Sequence, residues 1–208
     1  MHSQQGKPSG WIEVICGPMF SGKTEELIRR LRLCQFAKQR IQIFKPLLDN
    51  RYANEYITSH SDQKFLCTPI GHAREIVERI EDATRVVGID EAQFFSEDVV
   101  AVAEKLANRG LRVIVAGLDQ DYLGAPFGLI PQLMAIAESV LKLKAICVVC
   151  GGLASKSQLV TQEKEKGQIL VGSGERYEAR CRACFDPEFT LEKARPAVPI
   201  SKNLQTVS

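Results

Sequence analysis

Gly17-Pro18-Met19-Phe20-Ser21-Gly22-Lys23-Thr24 fits G-x-x-x-x-G-K-[ST], the Walker A pattern of a phosphate-binding loop. Glycines at positions 17 and 22 let backbone N–H groups meet phosphate oxygens without a Cβ in the way. The start of the helix that follows adds partial positive charge to the same place. Lys23 can set its ammonium on the β- and γ-phosphates, and the Thr24 hydroxyl can ligate Mg²⁺. The flanks agree. Trp11-Ile12-Glu13-Val14-Ile15-Cys16 reads as a short apolar strand feeding the loop, and Glu25 to Leu33 reads as a helix leaving it. The stretch predicts a nucleoside triphosphate site. It does not say what is done with the triphosphate.

Outward from the loop, apolar runs alternate with amphipathic segments. Ile41-Gln42-Ile43-Phe44, Arg85 to Asp90, Leu111 to Gly117 and Val140 to Ile146 read as strands. Gly71 to Ile80, Ser96 to Asn108 and Ile130 to Glu138 read as helices, with Ser96 as N-cap and Gly110 as stop for the second. Strands alternating with helices predict a parallel sheet covered on both faces. With a Walker A loop after the first strand, the fold class is the P-loop NTPase (RecA-like) α/β type. After Ile146 helical periodicity stops, and cysteine pairs, glycines and short polar stretches run to Phe185. The expected division is a flexible tail over 1–9, a P-loop domain over 10–146, a small cysteine-bearing unit over 147–185, and a Pro-containing flexible tail over 186–208.

The chain has 208 residues, 45% of them hydrophobic, enough for a core. A formal net charge of +2 supplies no electrostatic argument for nucleic acid. No apolar run approaches a membrane span, and the polar start lacks a signal-peptide core, so the expected compartment is the cytoplasm. Seven cysteines, an odd count without a secretion signal, argue against a disulfide framework. Cys16, Cys34 and Cys67 are scattered and read as ordinary buried thiols.

Two further constellations carry chemistry. Val86-Val87-Gly88-Ile89-Asp90 is an apolar strand ending in an acid, the Walker B pattern, which sets Asp90 near Mg²⁺ and its waters. Glu91, one position on, can take a proton from an attacking hydroxyl or water. Cys147-Val148-Val149-Cys150 and Cys181-Arg182-Ala183-Cys184 are two C-x-x-C knuckles with thirty residues between them. Cys147, Cys150, Cys181 and Cys184 can together close a tetrahedral, structural Zn²⁺ site. A redox pair and unrelated thiols are the alternatives. Ile169 to Tyr177 combines an apolar strand, a Gly-Ser-Gly and a tyrosine. It reads either as a simple hairpin turn or as a lid over a small substrate.

As a set, these parts resemble the thymidine kinase family of the P-loop, zinc-containing type. The resemblance is carried by Gly17 to Thr24, by Gly88-Ile89-Asp90-Glu91-Ala92-Gln93-Phe94-Phe95, and by Gly117-Leu118-Asp119 with Pro126-Phe127-Gly128. Ala137-Glu138-Ser139-Val140 and the two knuckles flanking Tyr177 complete it. It implies ATP-dependent phosphorylation of the 5′-hydroxyl of thymidine and deoxyuridine, with ATP, Mg²⁺ and structural Zn²⁺. It also implies a homotetramer, inhibition by thymidine triphosphate, and neither nucleic acid nor membrane as partner. By the same resemblance Glu91 is the general base, while Lys23 and Arg51 neutralise the transferring phosphoryl group and Asp49 orients it. The phosphate site takes in Gly17, Pro18, Met19, Phe20, Ser21, Gly22, Lys23, Thr24, Asp49 and Asp90. Met19, Leu118, Tyr122 and Phe127 match walls of the base pocket, and Phe94 packs beside sugar and base. A lasso loop around Gln168, Ile169, Leu170, Val171 and Gly172 holds the pyrimidine edge through its backbone, with Tyr177 at its end.

The chain departs from the family at Asp121-Tyr122, where many relatives carry a small residue and Phe, and the tyrosine adds a hydroxyl that needs a partner. His60-Ser61-Asp62 carries an extra residue inside a His-Asp element, so His60 receives no role. A different reading is a nucleic-acid-dependent NTPase, since Asp90-Glu91-Ala92-Gln93 is similar to a helicase box and zinc ribbons bind DNA. The near-neutral charge and the absence of a basic, aromatic cluster around the knuckles speak against it.

Overall fold

The computed structural model describes residues 9–47, 56–58, 64–95, 98–160 and 176–188. β1 (Trp11–Cys16) is buried from its second residue onward, as a strand flanked by others and covered on both faces must be. It enters the phosphate loop, and α1 (Lys23–Phe36) leaves it. α1 turns Leu27, Ile28, Leu31 and Cys34 inward on one face, and Glu25 and Glu26 in its first turn suit the positive end of its dipole. β2 (Arg40–Pro46) follows, then the short β3 (Tyr56–Thr58), β4 (Lys64–Leu66) and β5 (Thr68–Ile70). α2 (Arg74–Arg79), β6 (Thr84–Ile89), a single 3₁₀ turn (Ala92–Phe94), α3 (Asp98–Asn108), β7 (Arg112–Gly117) and α4 (Ile130–Ile136) complete the alternation. β8 (Ser139–Lys142) closes the sheet.

The six-stranded sheet has the order β5-β2-β6-β7-β1-β8, and every pairing in it is parallel. Two apolar clusters lie on it. One takes the inner face of α1, with Ile15, Ile43, Val86 and Ile114 from the strands. The other takes α2, α3 and α4, with Val14, Val87, Val113 and Val115. Each fully buried Leu or Ile here contributes about 1.5–3 kcal/mol relative to exposure. This is the P-loop α/β architecture expected from the alternation of elements. The order has one consequence for chemistry. β7 lies between β1 and β6, so its outgoing residues Leu118 and Asp119 emerge between the Walker A loop and Asp90.

Two elements differ from the sequence reading. β5 carries Pro69, which spoils its strand pattern, yet it occupies the sheet edge, where a missing N–H is tolerated. The run Val140 to Ile146 is not one strand. Residues through Lys142 pair with β1, whereas β9 (Ala145–Ile146) pairs antiparallel with β10 (Leu153–Ala154) in a separate sheet. Leu143 marks the change, spending its N–H on the Cys16 carbonyl at 2.8 Å. A continuous apolar run does not reveal that the chain changes sheets within it. β11 (Lys156–Leu159) and β12 (Tyr177–Arg180) form a third antiparallel pair.

Candidate active site

The loop after β1 carries the strain its function requires. Gly17 has φ +144°, and a Cβ on it would lie 2.5 Å from the Leu143 carbonyl oxygen, so no other residue fits. Gly22 is left-handed at φ +82° and caps α1. Inside the loop, the Ser21 hydroxyl and the Lys23 ammonium each donate to the Pro18 carbonyl at 2.8 Å. Burial lowers the Lys23 pKa, while the carboxylates of Glu91, Asp90 and Asp119 pull it back up. Lys23 therefore lies in the field of three acids, the adjacent Asp90 and Glu91 after β6 and Asp119 after β7.

Asp90 stands just past β6 and is 6% exposed. Its Oδ2 accepts from the Thr24 hydroxyl at 3.3 Å, and its Oδ1 accepts the Glu91 N–H at 3.0 Å. Burial, and then the Glu91 carboxylate beside it, push the Asp90 carboxyl up to about 7 against the opposing pull of Lys23 and Thr24. Hard oxygen donors facing each other from the start of α1 and the end of β6 suit a Mg²⁺ ion, whose charge would relieve the crowding of acids. Glu91 itself is left-handed at φ 51° and ψ 38°. That conformation costs a non-glycine residue about 1–2 kcal/mol. The 3₁₀ turn that follows it carries Gln93, whose Nε2 donates to Glu91 Oε2 at 2.5 Å.

Several residues expected around a nucleoside come together in pairs. The Phe94 and Phe127 rings meet edge to face, with centroids 5.6 Å apart at 89°. The Leu118 N–H is held by Gln93 Oε1 at 3.0 Å. Tyr177, at the start of β12, has its hydroxyl pKa raised by burial and then by the proximity of Tyr122, so these two phenols face one region. Asp121, the chain's departure from its relatives, is buried, and its Oδ1 accepts the N–H groups of Leu123 and Ala125 at 2.9 Å each. It fixes the turn that presents Tyr122. Asp49, Arg51, His60, Gln168, Ile169, Leu170, Val171, Gly172 and Ser96 lie outside the described residues.

Three contributors received no role from the sequence. Ser157 on β11 accepts the Met19 N–H at 3.0 Å, tying the phosphate loop to the strand pair that lies between the two cysteine knuckles in the chain. A serine in a short polar strand carries no sequence signal for this. Asp119 is 5% exposed, with Lys142 Nζ 2.5 Å from its Oδ2 as charge partner and no well-directed hydrogen bond among the described residues. Glu138 Oε2 accepts the Ile12 N–H at 2.6 Å, just before the β1–β8 ladder begins. The Ala137-Glu138-Ser139-Val140 motif signalled Glu138, and the sheet explains it.

The Sγ atoms of Cys147, Cys150, Cys181 and Cys184 all lie within 4.8 Å of one another, and the pair from Cys150 and Cys181 is 3.7 Å apart. A tetrahedral ion with Zn–S bonds of about 2.3 Å needs S–S edges of roughly 3.8 Å, so the donor set fits. Burial pushes the Cys147 thiol up, but N–H groups of Cys181, Cys150 and Val149 outweigh it and bring it down to about 6. Hydrogen bonding to Cys181, then burial, pushes Cys184 up to about 12. Four thiols this close compete for protons, and a divalent metal removes the competition by displacing them. Among the described residues, the buried apolar core beneath them is Ala145, Cys147, Ala154 and Ala179, small for holding two hairpins together.

No helix among the described residues is long and apolar enough to cross a membrane. Compared with known proteins, residues 10–185 match the family model described as thymidine kinase. The chain is also 54% identical over 184 residues to a thymidine kinase of Rhodothermus sp. (strain ITI 518), spanning 88% of this chain and 85% of that relative. The match runs from the strand before the phosphate loop through the last cysteine knuckle, covering every element that builds the site. The chain belongs to the thymidine kinase family.

Proposed function

We propose that this protein transfers the γ-phosphoryl group of ATP to the 5′-hydroxyl of thymidine, and of deoxyuridine, as a step of pyrimidine salvage. The observation that carries the reading is the convergence of Lys23, Thr24, Asp90 and Glu91 at one end of the sheet. There the same loop that would hold the triphosphate is tied through Met19 to the strand bearing Ser157. Thr24 and Asp90 would hold Mg²⁺, which when bound neutralises charge on the β- and γ-phosphate oxygens. Glu91 accepts the 5′-hydroxyl proton as O5′ bonds to the γ-phosphorus. The bond from that phosphorus to the bridging oxygen breaks, and its electron pair leaves with ADP. Lys23, joined by Arg51, stabilises the equatorial oxygens, and Asp49 helps orient them. Phe94, Phe127, Leu118, Met19, Tyr122 and Tyr177 enclose the nucleoside, with the segment from Gln168 to Gly172 over the pyrimidine edge. The four cysteines hold structural Zn²⁺ at the base of that segment, within a unit spanning 147–185.

We also assign the protein to the cytoplasm, as a homotetramer inhibited by thymidine triphosphate. Leu33 and Phe36, exposed on α1 although apolar, are surfaces such an assembly would cover. Radiolabelled ATP offered with each of four deoxynucleosides tests the reaction. Label should pass to thymidine and deoxyuridine and not to the purine nucleosides. DNA-stimulated ATP hydrolysis without nucleoside phosphorylation would overturn the reading.

A further inference from the structure

Gln93 is 3% exposed and lies in the turn after Glu91, where a buried amide needs hydrogen-bond partners. Both ends of the amide are engaged. Oε1 accepts the Leu118 N–H at 3.0 Å, and Nε2 donates to Glu91 Oε2 at 2.5 Å. The peptide of Leu118 offers only a donor at that point and the carboxylate only an acceptor, so the amide has one orientation that satisfies both. Its surroundings leave it no room to leave. A Cβ at Gly117 would lie 2.7 Å from Gln93 Oε1, and one at Gly128 would lie 2.4 Å from the Gln93 carbonyl oxygen. The backbones of β7 and of the loop after Phe127 thus close on Gln93 from two sides.

We infer that Gln93 is the positioning residue for Glu91, an amide locked by the Leu118 N–H that occupies one carboxylate oxygen and aims the other at the acceptor hydroxyl. The inference rests on Glu91 being the general base. The Glu91 backbone is in the left-handed region, a conformation that persists only where its surroundings hold it, and the Gln93 amide is one of the groups that do. A base misplaced by a fraction of an ångström loses much of its rate advantage. The arrangement also links two parts of the site, since Leu118 walls the proposed base pocket and the same amide reaches the carboxylate.

The experiment compares Gln93→Glu and Gln93→Met with the unaltered protein, and adds Gln93→Met to Glu91→Gln. Steady-state kinetics with thymidine and thermal unfolding are measured for each. Gln93→Glu keeps an acceptor for Leu118 but turns the donor to Glu91 into a second acid. Its kcat should fall at least tenfold while the KM for thymidine stays within threefold. Gln93→Met should lower kcat similarly in the unaltered background and change residual turnover less than twofold in the Glu91→Gln background, because the group it positions is gone. Equal fold losses in both backgrounds, or a folded Gln93→Glu with kcat within twofold of normal, overturn the inference. Near-normal turnover in Glu91→Gln alone overturns the reading of Glu91 as base, and the inference with it. If Gln93→Glu fails to unfold cooperatively, the Gln93→Met pair carries the comparison.

Discussion

The backbone N–H of Met19 donates to the Ser157 hydroxyl at 3.0 Å, joining groups 138 residues apart in the chain. Through this contact the phosphate loop after β1 and the strand that leads from the first cysteine knuckle form one wall. The loop proposed to bind phosphates is thereby tied to the unit proposed to enclose the nucleoside.

Ser157→Ala should accordingly lower kcat/KM for thymidine about tenfold, since a partly buried N–H left without its acceptor costs about 1–3 kcal/mol. ATP affinity should change little, because the phosphate-facing groups of the loop are untouched. Steady-state kinetics with each substrate varied in turn distinguishes the two effects.

Glu91→Gln should bind a non-hydrolysable ATP analogue normally, as measured by calorimetry, and lose roughly 10²- to 10⁴-fold in kcat. The amide cannot accept the hydroxyl proton, while Lys23, Thr24 and Asp90 remain in place. Turnover close to that of the unaltered protein would remove Glu91 as base.

One Zn²⁺ per chain is expected by atomic emission, and Cys150→Ser or a strong chelator should remove it. The small core of Ala145, Ala154 and Ala179 cannot keep β9 to β12 assembled without metal. Thymidine turnover should collapse with zinc loss, because Ser157 and Tyr177 sit on the released strands. The sheet core does not depend on the metal, so ATP-analogue binding should persist.

Glu13 lies 6% exposed on β1, within 2.7 Å of both Trp11 Nε1 and Arg112 Nε, and hydrogen-bonded to Arg30 as well. Burial raises its pKa, but these donors, Arg112 foremost, outweigh it and leave the carboxyl below its ordinary value. A carboxylate with a depressed folded-state pKa contributes stability above its unfolded pKa of 4.5 and loses it as pH falls through the folded value. Glu13→Gln should therefore cost about 3 kcal/mol near pH 7, where Arg112 loses its carboxylate partner and Arg30 is left with Glu26. The difference from the unaltered protein should shrink steadily below pH 4.5 in urea titrations.

Much of this was legible because it is local. A glycine at 17, a Gly-Lys-Thr at 22 to 24, an apolar run ending in Asp90 and two C-x-x-C pairs are short-range patterns, each with its own chemical meaning. The two cysteine pairs were legible even across thirty residues, because four soft donors are rarely spaced so without a metal. Gln93, Glu138 and Ser157 were not legible in the same way. Gln93 and Glu138 lay inside quoted motifs without a role, since an amide or carboxylate has no meaning until its partner is known. Ser157 had no pattern at all, and β5 was hidden by Pro69, whose cost vanishes only at a sheet edge.

The sequence by itself determined the alternation of strands and helices, the Walker A loop, the acids after β6 and the two cysteine knuckles, because nearest neighbours in the chain dictate them. Tertiary structure alone decided that β7 runs between β1 and β6. That order brings Asp119 beside Lys23, sets the Leu118 N–H against Gln93 and turns Gln93 toward Glu91. Hydrogen bonds between distant residues depend on which strands pair, and pairing is settled by burying both faces of the whole sheet rather than by any one segment.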